Sequence, residues 1–144
     1  MWYNLFVANV FPSSSVLLTY KNKLLLLGPE AYPNPSEQPL WRLVGGLKGN
    51  KETNKDTIYR KIKHTTSLEL KDVNISSPFN DLGGECVYHV ELTDKDVNKM
   101  ERREGQRLEF FTLAELSKLS LTEATEVFFT ENKTIIEGLL ARHD

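Results

Sequence analysis

The sequence predicts a chain of the mixed α/β (α+β) class, a β-sheet with helices on both faces. Three observations carry that reading. Short β-capable apolar runs fill the early chain and return after residue 85, a capped amphipathic helix lies between them, and the last twenty residues are apolar at helical spacing.

The elements follow in order. Residues 3–11, YNLFVANVF, are expected to form a strand. SVLLTY and LLLLG flank Lys21, Asn22 and Lys23, two β-capable runs around a short polar turn, which predicts a hairpin. GPEAYPNPSEQP holds four prolines and reads as a surface loop leading into WRLVGG, a short strand that ends in two glycines. Thr53 and Asp56 have the spacing of a capping box, so a helix is expected to start there and run to about residue 67. Ile58, Ile62 and Thr65 fall on its sheet-facing side.

In ECVYHVEL, Cys86, Tyr88, Val90 and Leu92 alternate with Val87, His89 and Glu91, which predicts a strand buried on at least one face. RLEFF is the next strand, and Thr112 with Glu115 forms a second capping box that opens a short helix. From Thr122 onward, Val127, Phe128, Ile135, Ile136 and Leu139 predict a closing helix with a break near Asn132.

A length of 144 residues suits one domain with a full core, so 1–144 is expected to be a single unit. Hydrophobic content of 40% argues against a disordered or fibrous chain. No apolar run approaches a membrane span, and MWYNLFVANVF has no basic leader, which points to a cytoplasmic protein with no membrane partner. One cysteine, Cys86, allows no internal disulfide and fits a small buried side chain in a strand. The net charge of -2 conceals an asymmetry. Between residues 48 and 63, six basic residues face Glu52 and Asp56 alone, so the functional question concentrates in this segment.

That segment carries a motif. Gly46, Glu52 six residues on, and Arg60 eight residues further resemble the Nudix (MutT-like) box, G-x5-E-x7-R-E-U-x-E-E-x-G-U, where U is a bulky aliphatic residue. Gly45, Thr53, Ile62 and Leu68 fit as well, and Trp41 and the stretch EGQRLEFFTLAEL look like flanking family features. The resemblance implies an α/β/α sandwich around a mixed sheet, and a hydrolase of nucleoside diphosphates linked to another moiety. In the family, glutamates on the helix hold Mg²⁺ or Mn²⁺, and the counterparts of Glu52 and Arg60 brace the loop against the helix.

The departures fall on the metal site. Lys61 stands where the family has its first helix acid, His64 and Thr65 stand at its paired glutamates, and Ser67 replaces its late glycine. Mg²⁺ requires hard oxygen donors, whereas an ammonium repels it and an imidazole suits it poorly. Residues 61, 64 and 65 lie at i, i+3 and i+4, on one side of the helix. The resemblance therefore implies a degenerate box, with pyrophosphohydrolase activity impaired or absent and a pocket kept for nucleotide-like or phosphorylated ligands.

Lys61, with Lys48, Lys63 and His64, is the candidate phosphate-binding group. Trp41, Tyr32, Tyr88 and Phe110 are candidate base-stacking residues, and His89 lies on a strand face that lines either a cleft or the core. Two alternatives stay open. An active hydrolase would use Mg²⁺ or Mn²⁺ in a displaced site, with Glu104 as its catalytic or metal-associated carboxylate beside Asp81 or Glu85. A regulatory module would bind RNA or protein, although the overall negative charge disfavours broad nucleic-acid binding.

Overall fold

Strand β1, Ser13–Tyr20, is the centre of the sheet and touches three others. It forms a hairpin with β2, Lys23–Leu27, through a tight turn in which Lys21 adopts a left-handed φ of 55°. Strand β3, Val44–Leu47, runs antiparallel to β1, and β4, Cys86–Glu91, runs parallel to it. Ser14 pairs with both Gly46 and Cys86, and Leu18 with both Leu25 and Val90. It follows that β4 occupies one edge of β1 while β3 and β2 divide the other. Strand β5, Leu108–Thr112, extends the sheet antiparallel to β2. One parallel pair among antiparallel ones makes the sheet mixed, as expected. This computed structural model describes residues 13–29, 39–70, 86–102 and 106–141, so the expected strand at 3–11, Tyr32, Asp81, Glu85 and Glu104 lie outside the described residues.

Side chains alternate across the sheet and build two cores. On one face Val16, Leu18, Val44 and Val90 pack against Ile58 and Ile62 of helix α1, Asn54–Thr66. Both isoleucines are fully buried, which contributes about 1.5–3 kcal/mol each. On the other face Leu17, Leu24, Leu26 and Val87 meet the C-terminal helices. The layers are helix, sheet and helix, the sandwich implied by the resemblance.

The caps explain where the helices start and stop. Thr53 and Asp56 complete the expected box at the start of α1, with mutual bonds of 3.0 and 3.1 Å. The helix ends at Ser67, whose φ of 69° is left-handed and whose N–H donates to the Lys63 carbonyl at 2.9 Å. Helix α2, Asp94–Lys99, was not expected. None of its six residues is buried, so it has no apolar stripe, yet the Thr93/Asp96 box that opens it was readable as spacing.

Thr112 and Glu115 open α3, Leu113–Leu116, as the sequence suggested. The closing segment is broken at Asn132 into α4, Glu123–Glu131, and α5, Lys133–Ala141. There the Asn132 side chain donates to the Phe128 carbonyl at 3.0 Å, ending one helix, while its own carbonyl accepts from Ile136 at 3.0 Å, beginning the next. Among the described residues no helix is long and apolar enough to cross a membrane.

Candidate functional site

The glycine pair at β3 serves two different ends. Gly45 has φ 156°, and a Cβ there would overlap the Ser14 carbonyl oxygen, so backbone geometry alone demands glycine. Gly46 is demanded by a side chain. A Cβ on it would come within 2.5 Å of Lys61 Cε and 3.0 Å of Lys61 Nζ. The missing side chain leaves a channel across which the half-buried Lys61 reaches from α1 to the strand.

The turn between β3 and α1 is clamped by Glu52. Its carboxylate accepts from the Gly49 N–H at 2.7 Å, the Thr57 hydroxyl at 3.0 Å, and Arg60 Nε and Nη2 at 2.7 and 3.0 Å. Arg60 Nη2 also donates to the Leu47 carbonyl at 3.2 Å, which ties the end of β3 to the helix. The Arg60 hydrogen bonds, helped by those from Gly49 and Thr57, lower the Glu52 carboxyl from 4.5 to about 2. The bonds themselves fix the loop.

The remaining candidates are distributed unevenly. Around the helix, position 64 lies about 60° to one side of 61 and position 65 about 40° to the other. Accordingly His64 is exposed and Thr65 is buried against the core, with Lys61 between them. The three residues do not form one open face, because the 65 side is taken up by sheet packing. Lys63 points to solvent and pairs with Glu69 at 2.7 Å, and Lys48 is exposed.

Trp41 is buried edge-on against Phe111 with ring centroids 4.9 Å apart. Tyr88 is buried beside α1, and Phe110 is partly buried against Tyr20. His89 is buried on the opposite face, 2.8 Å from the Thr19 hydroxyl. Cys86 is only half-buried and accepts from Asn54 Nδ2 at 2.9 Å, while the Asn54 carbonyl accepts from the Ser14 hydroxyl.

Sequence reading missed a cleft of about 160 Å³ on the α4 side of the same glycines. Its apolar lining includes Leu43, Val87 and Phe128, and its polar lining is Ser15, Arg42, Thr122 and Thr125. Backbone bonds fix the segments that carry Arg42 and Thr122. Leu27 and Arg42 exchange bonds of 2.8 and 2.9 Å, Trp41 donates to the Ser120 carbonyl at 2.9 Å, and Thr122 donates to the Trp41 carbonyl at 3.0 Å. The Thr122 hydroxyl donates to Thr125 at 2.9 Å instead of capping α4, and Leu43 N also reaches the Thr125 hydroxyl at 3.4 Å. One signal was available. Arg42 is the sole charged residue of WRLVGG, in a stretch otherwise apolar or glycine.

The box residues do not fit a divalent cation. The position facing the glycines carries an ammonium, His64 turns outward and Thr65 turns inward. Among the described residues, no group of three or more His, Cys, Asp or Glu side chains is arranged to hold a metal.

No protein-family model matches the chain, and no curated protein sequence matches it. Solved structures do match. A mutT/nudix family protein from Listeria innocua is 18% identical with a TM-score of 0.63, covering 91% of this chain and 97% of that one. A NUDIX-family hydrolase from Clostridium perfringens is 16% identical with a TM-score of 0.58, covering 87% and 97%. A bifunctional NMN adenylyltransferase/ADP ribose pyrophosphatase from Francisella tularensis, complexed with AMP and a manganese ion, is 12% identical with a TM-score of 0.64, covering 93% of this chain and 47% of that one. The chain has the fold of the MutT/Nudix proteins.

Proposed function

We propose that this chain is a single-domain Nudix-fold protein that binds a nucleotide-like or other phosphorylated ligand at the glycine pair, without the family's standard metal-dependent pyrophosphohydrolase activity. The observation that carries the proposal is Lys61 laid across Gly46, at the helix position where the family has a carboxylate. A lysine there supplies, as a point charge, the attraction for phosphate that a metal would otherwise supply. Support comes from the cleft on the other side of the same strand, which has one cation and no carboxylate among its described lining residues. The Francisella tularensis protein of the same fold is complexed with AMP, which makes a nucleotide the first ligand to test.

Titration with ADP in the presence of EDTA tests the proposal. Wild-type protein is expected to bind, and Lys61→Glu to weaken binding at least about tenfold, the effect of a charge-assisted contact reversed in sign. Lys63→Glu, at a lysine already paired with Glu69, is expected to matter less. Unchanged affinity in Lys61→Glu would overturn the assignment.

A further inference from the structure

Away from the glycine strand, we infer that a second cleft, between α3 and the two closing helices, is the interface of a two-fold dimer. In it α4 and α5 of one chain lie antiparallel against α4 and α5 of a second copy, with Glu126 of each facing Lys133 of the other.

The cleft is open and large, about 620 Å³, and is lined by the side of α4 that the glycine-strand cleft does not use. Its apolar lining includes Leu113, Leu116, Leu119, Phe129 and Ile136. Leu113 is exposed and Phe129 only partly buried, so apolar surface is left facing water. From α4 and α5 the lining takes Glu126, Phe129, Thr130, Lys133, Ile136 and Glu137, at the three- and four-residue spacings of a helix-pairing seam. The seam continues past the break at Asn132, because residues on both sides of the break line the same cleft. At 1.5 Å per residue the stretch from 126 to 137 runs about 16 Å, the length of roughly three turns of another helix.

The charges choose the occupant. Glu126, Lys133 and Glu137 all line the cleft, and among the described residues their side chains make no ion pair. A seam that leaves both signs unpaired can complement a second copy of itself, and the register decides which charges meet. Parallel helices related by a two-fold axis would set Glu126 against Glu126 and Lys133 against Lys133, which is repulsive. The antiparallel pair is favourable. Glu126 and Lys133 lie equally far on either side of the midpoint between Phe129 and Thr130, so a two-fold axis there forms the Glu126–Lys133 pair twice. The same axis brings the two Phe129 side chains together. The contact then has an apolar centre with charged pairs towards its ends, the usual layout of a specific interface.

The experiment is sedimentation equilibrium of the full chain from micromolar to submillimolar concentration, with reductant present so that Cys86 cannot link two chains. Wild type is expected to rise from the mass of one chain to twice that mass. Lys133→Glu and Glu126→Lys each turn both pairs into like charges, and each is expected to weaken dimerisation about tenfold or more. The double variant Glu126→Lys/Lys133→Glu restores opposite charges and should bring the dissociation constant back to within about threefold of wild type. Glu131→Lys, on α4 but outside the cleft, should leave it within about twofold. All three positions are exposed, so the variants are expected to fold, and thermal unfolding checks that they do. A wild-type mass of one chain at every concentration would overturn the inference and leave the cleft to a helix of another protein. So would a dimer that the single reversals do not weaken or that the double variant does not restore, since the chain would then associate through another surface. Neither result touches the proposed function, which the ADP titration tests by itself.

Discussion

Gly45 and Gly46 are neighbours with different reasons to be glycine, and the difference is measurable. Gly45→Ala meets the backbone of β1, which cannot move without disturbing the sheet, so a loss of about 1–3 kcal/mol is expected in denaturant unfolding. Gly46→Ala meets the flexible end of Lys61, so stability should change by less than about 1 kcal/mol while the lysine is displaced and phosphate affinity falls. Glu52 gives a second expectation at this scale. Its carboxyl is depressed from 4.5 to about 2, so its contribution to stability is fully present above the unfolded value and is lost as pH falls through the folded one. Carboxyl-detected titration should place its midpoint near 2, and Glu52→Gln should flatten the part of the acid-unfolding curve between about 4.5 and 2. Both glycines and Glu52 were legible as motif positions. That Gly46 accommodates a lysine was not, because the crossing of α1 over β3 joins residues fifteen apart through three dimensions.

At the scale of elements, the caps were the most readable feature. The boxes at Thr53 and Thr112 appeared where spacing placed them, and the break at Asn132 fell between α4 and α5. Helix α2 was missed because reading for apolar periodicity overlooks a surface helix whose single apolar residue, Val97, is only partly buried, although its box was plain in the sequence. The strand read at WRLVGG began three residues too early and stopped one residue short of Leu47. Trp41 and Arg42 form single bridges, to Leu121 and Leu27 respectively, and the ladder begins at Val44. The end of α1 yields a test. Ser67 occupies a left-handed C-terminal position where the Nudix pattern has glycine, and left-handed backbone costs a non-glycine residue about 1–2 kcal/mol. Ser67→Gly should therefore raise stability, by up to about 1 kcal/mol after the greater freedom of glycine in the unfolded chain is counted, with binding unchanged. Thermal unfolding and ADP titration on one sample check both parts.

Over the whole molecule, the helix-sheet-helix order was legible because alternating strands and capped helices are local signals, and the two cores follow from their alternation. The candidate site was half legible. Its basic side is a run along one helix. The cleft is assembled from β1, β3, β4 and the start of α4, four pieces of chain that no spacing rule connects. The glycine strand lies between the two halves, bare of side chains at 45 and 46, with Lys61 on its α1 side and the cleft on its α4 side. In the proposed reading, the charge that attracts phosphate is supplied by the protein itself, from Lys61, and the cleft lies across the strand from it.

The most direct test of that claim is the affinity and turnover of a nucleoside diphosphate measured across a titration of Mg²⁺ and Mn²⁺ from zero. If a lysine has taken over the role of the metal, binding will be present in EDTA, will weaken with salt as expected of a partly exposed ion pair, and will release no phosphate at any metal concentration. Turnover that rises with metal and disappears in Glu104→Gln would contradict the account, and would place the chemistry on carboxylates outside the helix.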